Sequence, residues 1–194
     1  MNRKFPNHRH AARGAAAFTL VEILVVVVIL GIAAAVIVPQ MGTRDDLRVA
    51  AAARMVMADL IYAQNRAIAT QQKHFVAFDT ASATKTYALR RATSLSPVTL
   101  VDVQHPITKD ATYDVAFGGK NSPMEHVTLG TVSFEGYPTL VFDELGVPMY
   151  YDPANPSNPL TPLATTDGST IQVTSGKFTL TITVQPYTGE ITVQ

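Results

Sequence analysis

The sequence predicts an α+β fold in which a long N-terminal helix packs on an antiparallel β-sheet domain. The first half of this helix is expected to span a membrane and the second half to be amphipathic. Apolar residues fill most of 18–40 and then recur every three or four positions to about residue 72, as they do in helices. From residue 74 onward, apolar and polar residues alternate in short runs separated by turn residues, which indicates strands.

The chain divides into four predicted parts. These are a basic leader (1–17), a transmembrane helix (18–40), an amphipathic helix (41–73) and a β-rich extracytoplasmic globular domain (74–194). The leader contains no acid, and its four cations are Arg3, Lys4, Arg9 and Arg13. Such cations favour a cytoplasmic N-terminus, so the chain after residue 38 is expected on the far side of the membrane.

The apolar segment is long enough for a membrane helix and contains one acid. From Phe18 to Val38 it measures 21 residues, or about 31 Å of helix at about 1.5 Å per residue, enough to cross a bilayer core. Glu22 lies near its start. An acid costs about 2.5–3.5 kcal/mol at mid-membrane and less near the end of the helix, so we expect it to have a function.

The run Phe18-Thr19-Leu20-Val21-Glu22 after a basic leader resembles the class III signal of type IV pilins and type II secretion pseudopilins. The resemblance implies that a prepilin peptidase cuts before Phe18 on the cytoplasmic side and N-methylates that residue. It also implies that Glu22 is the assembly residue and that the partners are other pseudopilins, an inner-membrane assembly platform and membrane lipid. Pro39 matches the family's helix pattern, and we expect a kink there because its ring crowds the carbonyl one turn earlier.

The cleavage position is assigned to the bond between Ala17 and Phe18. The family has Gly before the Phe, whereas here the nearest Gly is Gly14. Cutting after Gly14 would leave Ala15 as the first residue and would move Glu22 too far from the new terminus. Cutting after Ala17 keeps the spacing between the Phe and the Glu, and Ala is the smallest substitute for Gly.

Three other interpretations of this region remain open. Ala33-Ala34-Ala35 offers small residues to a signal peptidase, so the segment could be an ordinary secretory signal, although its apolar run is longer than usual. It could also be a membrane anchor that is never cut. Finally, Glu22 could lie at the lipid headgroups without a function.

A second, amphipathic helix is predicted from Arg44 to about Gln72. Its apolar stripe follows steps of three and four and is expected to be buried under a sheet. The stripe consists of Val49, Ala53, Val56, Leu60, Ala63 and Ala67, widened by Met57, Ile61 and Ile68. The charged residues Arg44, Asp45, Arg48, Arg54, Asp59 and Arg66 fall largely elsewhere.

Ten strands are predicted after this helix, with the last two forming a hairpin. They are 74–79, 86–90, 98–103, 112–117, 126–134, 139–143, 147–151, 170–174, 177–185 and 190–194. Glycine-containing turns separate several of them. The proline-rich stretch 152–169 shows no periodicity and is predicted to be a long exposed loop.

A finer resemblance covers the rest of the chain loosely. The helix end and strand at 52–79, the FDELGVP run at 142–148 and the closing segment 181–193 are similar to H-type minor pseudopilins and FimT-like proteins. The basic C-terminal segment that some FimT-like proteins use for DNA uptake is missing, since the tail carries only Lys177 and then Glu190. The resemblance therefore implies a minor pseudopilin.

Composition and motifs argue against several other classes of function. The chain has 15 basic and 15 acidic residues, but the leader holds four of the basic ones, so the mature chain is mildly acidic and no nucleic acid is expected as partner. There is no cysteine, which excludes disulfides and thiolate metal sites. We find no catalytic motif, and His74, His105 and His126 are scattered. No cofactor is expected.

A calcium site is conceivable at Asp143, Glu144, Asp152 and Asp167, although exposed turn carboxylates explain these acids better.

Two alternatives to a pseudopilin also remain open. The chain could be a pilus-priming or DNA-uptake subunit, which a basic surface stripe would favour. It could also be a secreted or anchored β-rich enzyme or carbohydrate-binding domain, which a deep pocket with convergent polar groups would favour. Tyr150, Tyr151 and Tyr187 could serve a protein interface.

The sequence as a whole predicts a non-enzymatic structural subunit. The expected protein is a minor pseudopilin of a type II secretion pseudopilus or a type IV pilus-like filament, assembled after cleavage and methylation. It is expected in the bacterial inner membrane, crossing once, with its C-terminal domain in the periplasm.

Overall fold

The computed structural model describes residues 18–40, 44–82, 85–119, 124–165 and 168–194, and for 36–40 it describes the backbone alone. These residues form two compact units, one within 1–43 and one comprising 44–194. The first unit contains the helix α1 (Leu20–Gln40), and the second contains the helix α2 (Asp45–Thr70) followed by β-strands. The strands are β1 (His74–Asp79), β2 (Thr86–Leu95), β3 (Val98–Asp102), β4 (Tyr113–Ala116), β5 (Thr128–Phe134), β6 (Thr139–Phe142), β7 (Pro148–Tyr151), β8 (Leu160–Pro162), β9 (Ser169–Ser175), β10 (Phe178–Val184) and β11 (Ile191–Val193).

The first helix, α1, confirms the predicted helical conformation of the apolar segment. Its sequence is aliphatic on every side, and its large apolar side chains up to Ile32 are 45–81% exposed. No helix within the described residues is both long enough and apolar enough to traverse a membrane. The predicted membrane-spanning half is therefore not confirmed. The α-helix continues through Pro39 to Gln40, and the kink expected at Pro39 stays a prediction.

The second helix, α2, buries the stripe that the sequence predicts. Its buried residues are Val49, Ala52, Ala53, Val56, Leu60, Ala63 and Ala67. The predicted margin of this stripe is wrong in part, since Ile61 and Ile68 are exposed and Met57 is half-buried. Asp45 and Asp46 occupy the first turn, where the positive end of the helix dipole favours acids. The helix ends at Gln71, which adopts a left-handed conformation and places the Gln72 N–H on the carbonyl of Ala67.

The strands form two antiparallel sheets. One sheet has the order β3-β2-β1-β6-β7-β8, with β4 also pairing with β2, and the other has the order β11-β10-β9-β5. All ten predicted strands are present, and β10 and β11 form the predicted hairpin. Nine of them differ from the prediction by at most two residues at either end, whereas β2 continues to Leu95, five residues beyond its predicted end.

The interpretation of 152–169 as a continuous exposed loop is wrong. Leu160 to Pro162 form the strand β8, which pairs with β7 at the edge of the first sheet. Leu160 and Leu163 are buried, because they supply apolar side chains to the domain interior. Alternation over three residues is too short to stand out among prolines in a sequence.

The main core lies where α2 packs against both sheets. Leu60 and Val56 are fully buried there together with Phe134 from β5 and Ile182 from β10. A smaller apolar cluster around Phe75, Val141 and Leu160 forms separately on the first sheet. Side chains of this size contribute about 1.5–3 kcal/mol each when fully buried, so the main core supplies most of the stability of this unit.

Two turns of the sheets are fastened to α2 by one side chain. Gln64 donates from its Nε2 to the carbonyl oxygens of Gly146, at 3.0 Å, and Thr188, at 3.3 Å. Gly189 has a φ of +67°, and a Cβ at that position would lie 2.4 Å from the Nε2 of Gln64. The last hairpin turn therefore requires glycine both for its backbone conformation and for the close approach of the helix.

We expect a fragment comprising residues 44–194 to fold as a monomeric α+β domain without the preceding residues. The reason is that the apolar stripe of α2 is buried against the sheets of its own unit, and the structure divides between residues 43 and 44. Circular dichroism with size-exclusion chromatography tests this. An unfolded or aggregated fragment would show that the division into an anchor and an independent domain is wrong.

Candidate processing and assembly site

The start of α1 is capped by the side chain of Thr19, three residues ahead of Glu22. Thr19 precedes the first helical residue, and its Oγ1 accepts a hydrogen bond from the Glu22 N–H at 3.2 Å. The backbone carbonyl of Thr19 also receives the N–H groups of Glu22 and Ile23. A Thr followed three residues later by a Glu, ahead of an apolar run, is a sequence signature of a helix N-terminus. The sequence analysis did not assign a role to Thr19, although this spacing could have revealed it.

Glu22 is located at the N-terminal end of α1, next to this cap. Glu22 is exposed and lies in the first helical turn, where unpaired N–H groups give the helix end a partial positive charge. Phe18, one residue ahead of the capping Thr19, is 73% exposed. Cleavage before Phe18 would add a cationic amine to the same end of the helix. An acid in this turn is thus placed at the electropositive end of its own helix and is accessible to another chain.

The structure gives less information on Ala17 and Pro39, the other predicted site residues. Ala17, on the other side of the proposed scissile bond, lies outside the described residues. Pro39 is placed in the last turn of α1 by its backbone alone. Processing at Ala17 and Phe18, methylation of Phe18 and assembly through Glu22 therefore stay predictions.

A second polar site, which the sequence analysis missed, lies inside the 44–194 unit. The carboxylate of Asp59 on α2 accepts hydrogen bonds from the hydroxyls of Tyr87 on β2 and Tyr113 on β4, the latter at 2.8 Å. Both tyrosines are almost fully buried. The ring of His105 packs on Tyr113 with centroids 4.3 Å apart. The sequence assigned Asp59 to the polar face because helical periodicity cannot show that tyrosines from two distant strands meet it.

Burial changes the acid–base properties of this site. Removal from water raises the pKa of the Asp59 carboxyl above its ordinary value of 3.8, although the hydrogen bonds from the two tyrosine hydroxyls and the nearby His105 ring oppose this. Burial also raises the pKa of Tyr87 and Tyr113, and the neighbouring carboxylate adds to the rise. Both hydroxyls therefore remain protonated donors, and the network joins α2 to two strands of the first sheet.

His105 and the turn acids Asp143 and Asp152 have local hydrogen-bond partners. His105 accepts at Nδ1 from the N–H groups of Ile107 and Thr108, whereas His126 is exposed. Asp143 accepts the N–H groups of the following turn, as Asp152 accepts that of Ala154. Within the described residues no group of three or more His, Asp or Glu side chains is arranged to hold a metal ion. Asp167 of the conceivable calcium site lies outside these residues.

The remaining acid and the aromatic residues also find neighbours. Glu144 pairs with Lys73, with the Nζ 2.6 Å from a carboxylate oxygen. Tyr150 stacks on Tyr137 with centroids 5.1 Å apart, and Tyr151 meets the ring of Phe75 edge-on. Tyr187 is 70% exposed. Of the tyrosines considered for an interface, Tyr187 is thus the one that the fold leaves most accessible.

Acids neutralise several cations of the folded unit. Besides Lys73, Arg48 pairs with Asp45 at 3.2 Å. Arg90 contacts both Asp102, at 3.0 Å, and Asp114, at 3.4 Å. These paired cations do not contribute to a basic surface stripe of the kind that would favour a DNA-uptake subunit.

The comparisons with known proteins agree with the N-terminal site. Residues 12–38 match the family model described as the prokaryotic N-terminal methylation motif. No curated protein and no solved structure matches the chain. The match contains the proposed scissile bond, Glu22 and most of α1. The chain thus carries the N-terminal methylation motif of type IV pilins and pseudopilins, which implies membrane anchoring and supports a type IV pilin-like or pseudopilin family protein.

Proposed function

We propose that this chain is an H-type minor pseudopilin, a structural subunit of a type II secretion pseudopilus or a related type IV pilus-like filament. The observation that carries the proposal is the methylation motif, in register with an acid in the first turn of an apolar helix. Its action is non-covalent assembly and not turnover of a substrate. A prepilin peptidase processes it, and an inner-membrane platform assembles it with other pseudopilins.

The proposed mechanism depends on the charge that cleavage creates. Before processing, the nitrogen of Phe18 is a neutral amide, and afterwards it is a cationic amine. The carboxylate of Glu22 on a neighbouring subunit then pairs with this amine. In a water-poor environment the two charges attract strongly, whereas an unpaired acid is costly to keep there. The same side chain therefore penalises the isolated subunit and stabilises the assembled one.

The proposed topology follows from the leader and the motif. The basic residues ahead of position 18 keep the N-terminus in the cytoplasm of a bacterium, and the N-terminal segment anchors the chain in the inner membrane. Residues 44–194 then lie in the periplasm as the globular part that contacts other subunits. The exposed apolar surface of α1 supports this arrangement, because a helix that is apolar on all sides needs lipid or other helices around it.

Mass spectrometry of the mature N-terminus tests this proposal. We expect the chain purified from a host that has a prepilin peptidase to begin at N-methylated Phe18, because that cut alone keeps Glu22 at the right spacing from the amine. Gly14→Ala should leave the mature terminus unchanged. In contrast, Ala17→Val should block cleavage, since the branched side chain is larger than the small residue that the peptidase requires.

Two other termini would lead to different conclusions. A mature chain that starts at Val36 would identify an ordinary signal peptide cut after the three alanines and would refute the filament subunit. A mature chain that starts at Ala15 would still agree with a pilin-type signal, but it would require a different partner geometry for Glu22.

A further inference from the structure

A polar cleft of about 270 Å³ opens beside the C-terminal end of α2. Its walls come from α2, from the beginning of β1, from β2 and from the end of β3. They include the side chains of Arg66, Thr70, His74, Arg91 and Asp102. A larger and more open cleft of about 570 Å³ adjoins it and shares Arg91. Neither cleft belongs to the N-terminal processing site.

His74 is built into the floor of the smaller cleft. The residue is 1% exposed, and its Nδ1 lies 2.9 Å from the carbonyl oxygen of Gln72. Because a carbonyl only accepts, this Nδ1 must carry the hydrogen. The other ring nitrogen, Nε2, is then a lone-pair acceptor in the neutral ring and becomes a donor when the ring is protonated. The ring is held in one orientation, so only Nε2 can respond to a ligand.

Positive charges that have no acid partner in the described part of the chain surround His74. Burial lowers the pKa of the His74 ring, and the positive charges of Arg66 on α2 and Arg91 on β2 lower it further. Asp102 on β3 is the acid of this cleft, and it is already paired with Arg90. The neighbouring Lys73 is paired with Glu144. Within the described residues neither Arg66 nor Arg91 pairs with an acid, although Gln72 orients Arg91 through an Nη1–Oε1 hydrogen bond of 2.8 Å.

We propose that this cleft, formed by Arg66, Arg91 and His74, is a binding site for one oxyanion, either a carboxylate or a phosphate group of a ligand. Two guanidinium groups can each donate paired hydrogen bonds to such a group. The bound anion would compensate the arginine charges and so favour a proton on Nε2 of the adjoining His74 ring. Binding would therefore take up a proton and strengthen as the pH falls. This site goes beyond the proposed assembly function and does not depend on it.

Sulfate is the probe for the test, because its charge does not change over the pH range in which histidine titrates. The full chain, labelled with ¹⁵N in its histidines and held in uncharged detergent micelles, is titrated with sodium sulfate and followed by NMR of the His74 ring. We expect sulfate to shift the ring signals toward the protonated form and to bind several-fold more tightly at about pH 6 than at about pH 8. Sodium acetate in parallel distinguishes a planar carboxylate from a tetrahedral ligand.

Arg66→Gln should weaken sulfate binding by about tenfold or more, the effect of losing a hydrogen bond to a charged group. Arg54→Gln is the matched control, because Arg54 is also exposed on α2 but does not line the cleft. The histidine signals outside the cleft report whether each variant is folded. Equal affinity of the two variants, or sulfate binding without a change at the His74 ring, would overturn the proposal.

Discussion

Replacing Glu22 with Ala is expected to abolish incorporation of the chain beside other pseudopilins while leaving membrane anchoring and cleavage intact. Anchoring should persist, and even improve, because a carboxylate is removed from an apolar helix. Cleavage should persist if the peptidase reads chiefly the small residue and the basic leader. Assembly should fail because the amine of Phe18 loses the carboxylate that compensates its burial, and leaving one partner of a buried ion pair alone costs about 3–5 kcal/mol.

Two further variants separate charge from other contributions of this site. Glu22→Gln keeps the size of the side chain but cannot neutralise the amine, so we expect it to behave like Ala. Thr19→Val keeps the shape of Thr19 and removes the capping oxygen that contacts the Glu22 N–H. It should weaken the start of the helix by about 0.5–2 kcal/mol and still permit assembly.

Crosslinking or co-purification with partner pseudopilins provides the measurement for all three variants, with the mature N-terminus checked by mass spectrometry. Normal assembly of both Glu22 variants would contradict the pairing mechanism. The acid would then be a bystander at the headgroups, or the subunit would form a filament tip with no neighbour to pair with.

Replacing Asp59 with Ala is expected to destabilise the 44–194 unit by about 2–6 kcal/mol, because two buried tyrosine hydroxyls lose their acceptor at about 1–3 kcal/mol each. Tyr87 and Tyr113 are 1% and 3% exposed, so water cannot easily replace the carboxylate. Urea denaturation of the variant and of wild type measures the difference. Asp46→Ala is the control, since Asp46 is an exposed acid of the same helix, and its loss should cost less than about 1 kcal/mol. Equal losses in both variants would show that the network contributes nothing.

The pH dependence of stability provides a second test of Asp59. Burial holds the pKa of Asp59 above its ordinary value of 3.8 in the folded state. The folded protein therefore binds this proton more tightly than the unfolded chain does. The contribution of the carboxyl is fully present below the unfolded pKa and is lost as the pH rises through the folded pKa. Asp59→Asn cannot titrate, so its stability relative to wild type should rise from about pH 4 upward. A constant difference across this range would contradict the raised pKa.

Local patterns were sufficient wherever one element determines its own structure. The stripe from Val49 to Ala67 follows the helical period, and the structure buries the six residues that define it. The strand positions follow from alternation and from turn residues such as Gly189, whose backbone conformation few other residues adopt without strain. Patterns were insufficient for β8, where Leu160 and Leu163 lie among prolines and are buried by residues far away in the chain.

The sequence by itself determined the methylation motif, the spacing between Phe18 and Glu22, the two helices and the order of ten strands. All of these depend on residues within one or two helical turns or within a single strand. The tertiary structure alone decided that Asp59 meets Tyr87 and Tyr113, and that Arg66, His74 and Arg91 line one cleft. The members of each group are far apart in sequence, and only the packing of α2 on the first sheet, driven by burial of its apolar stripe, brings their polar atoms together.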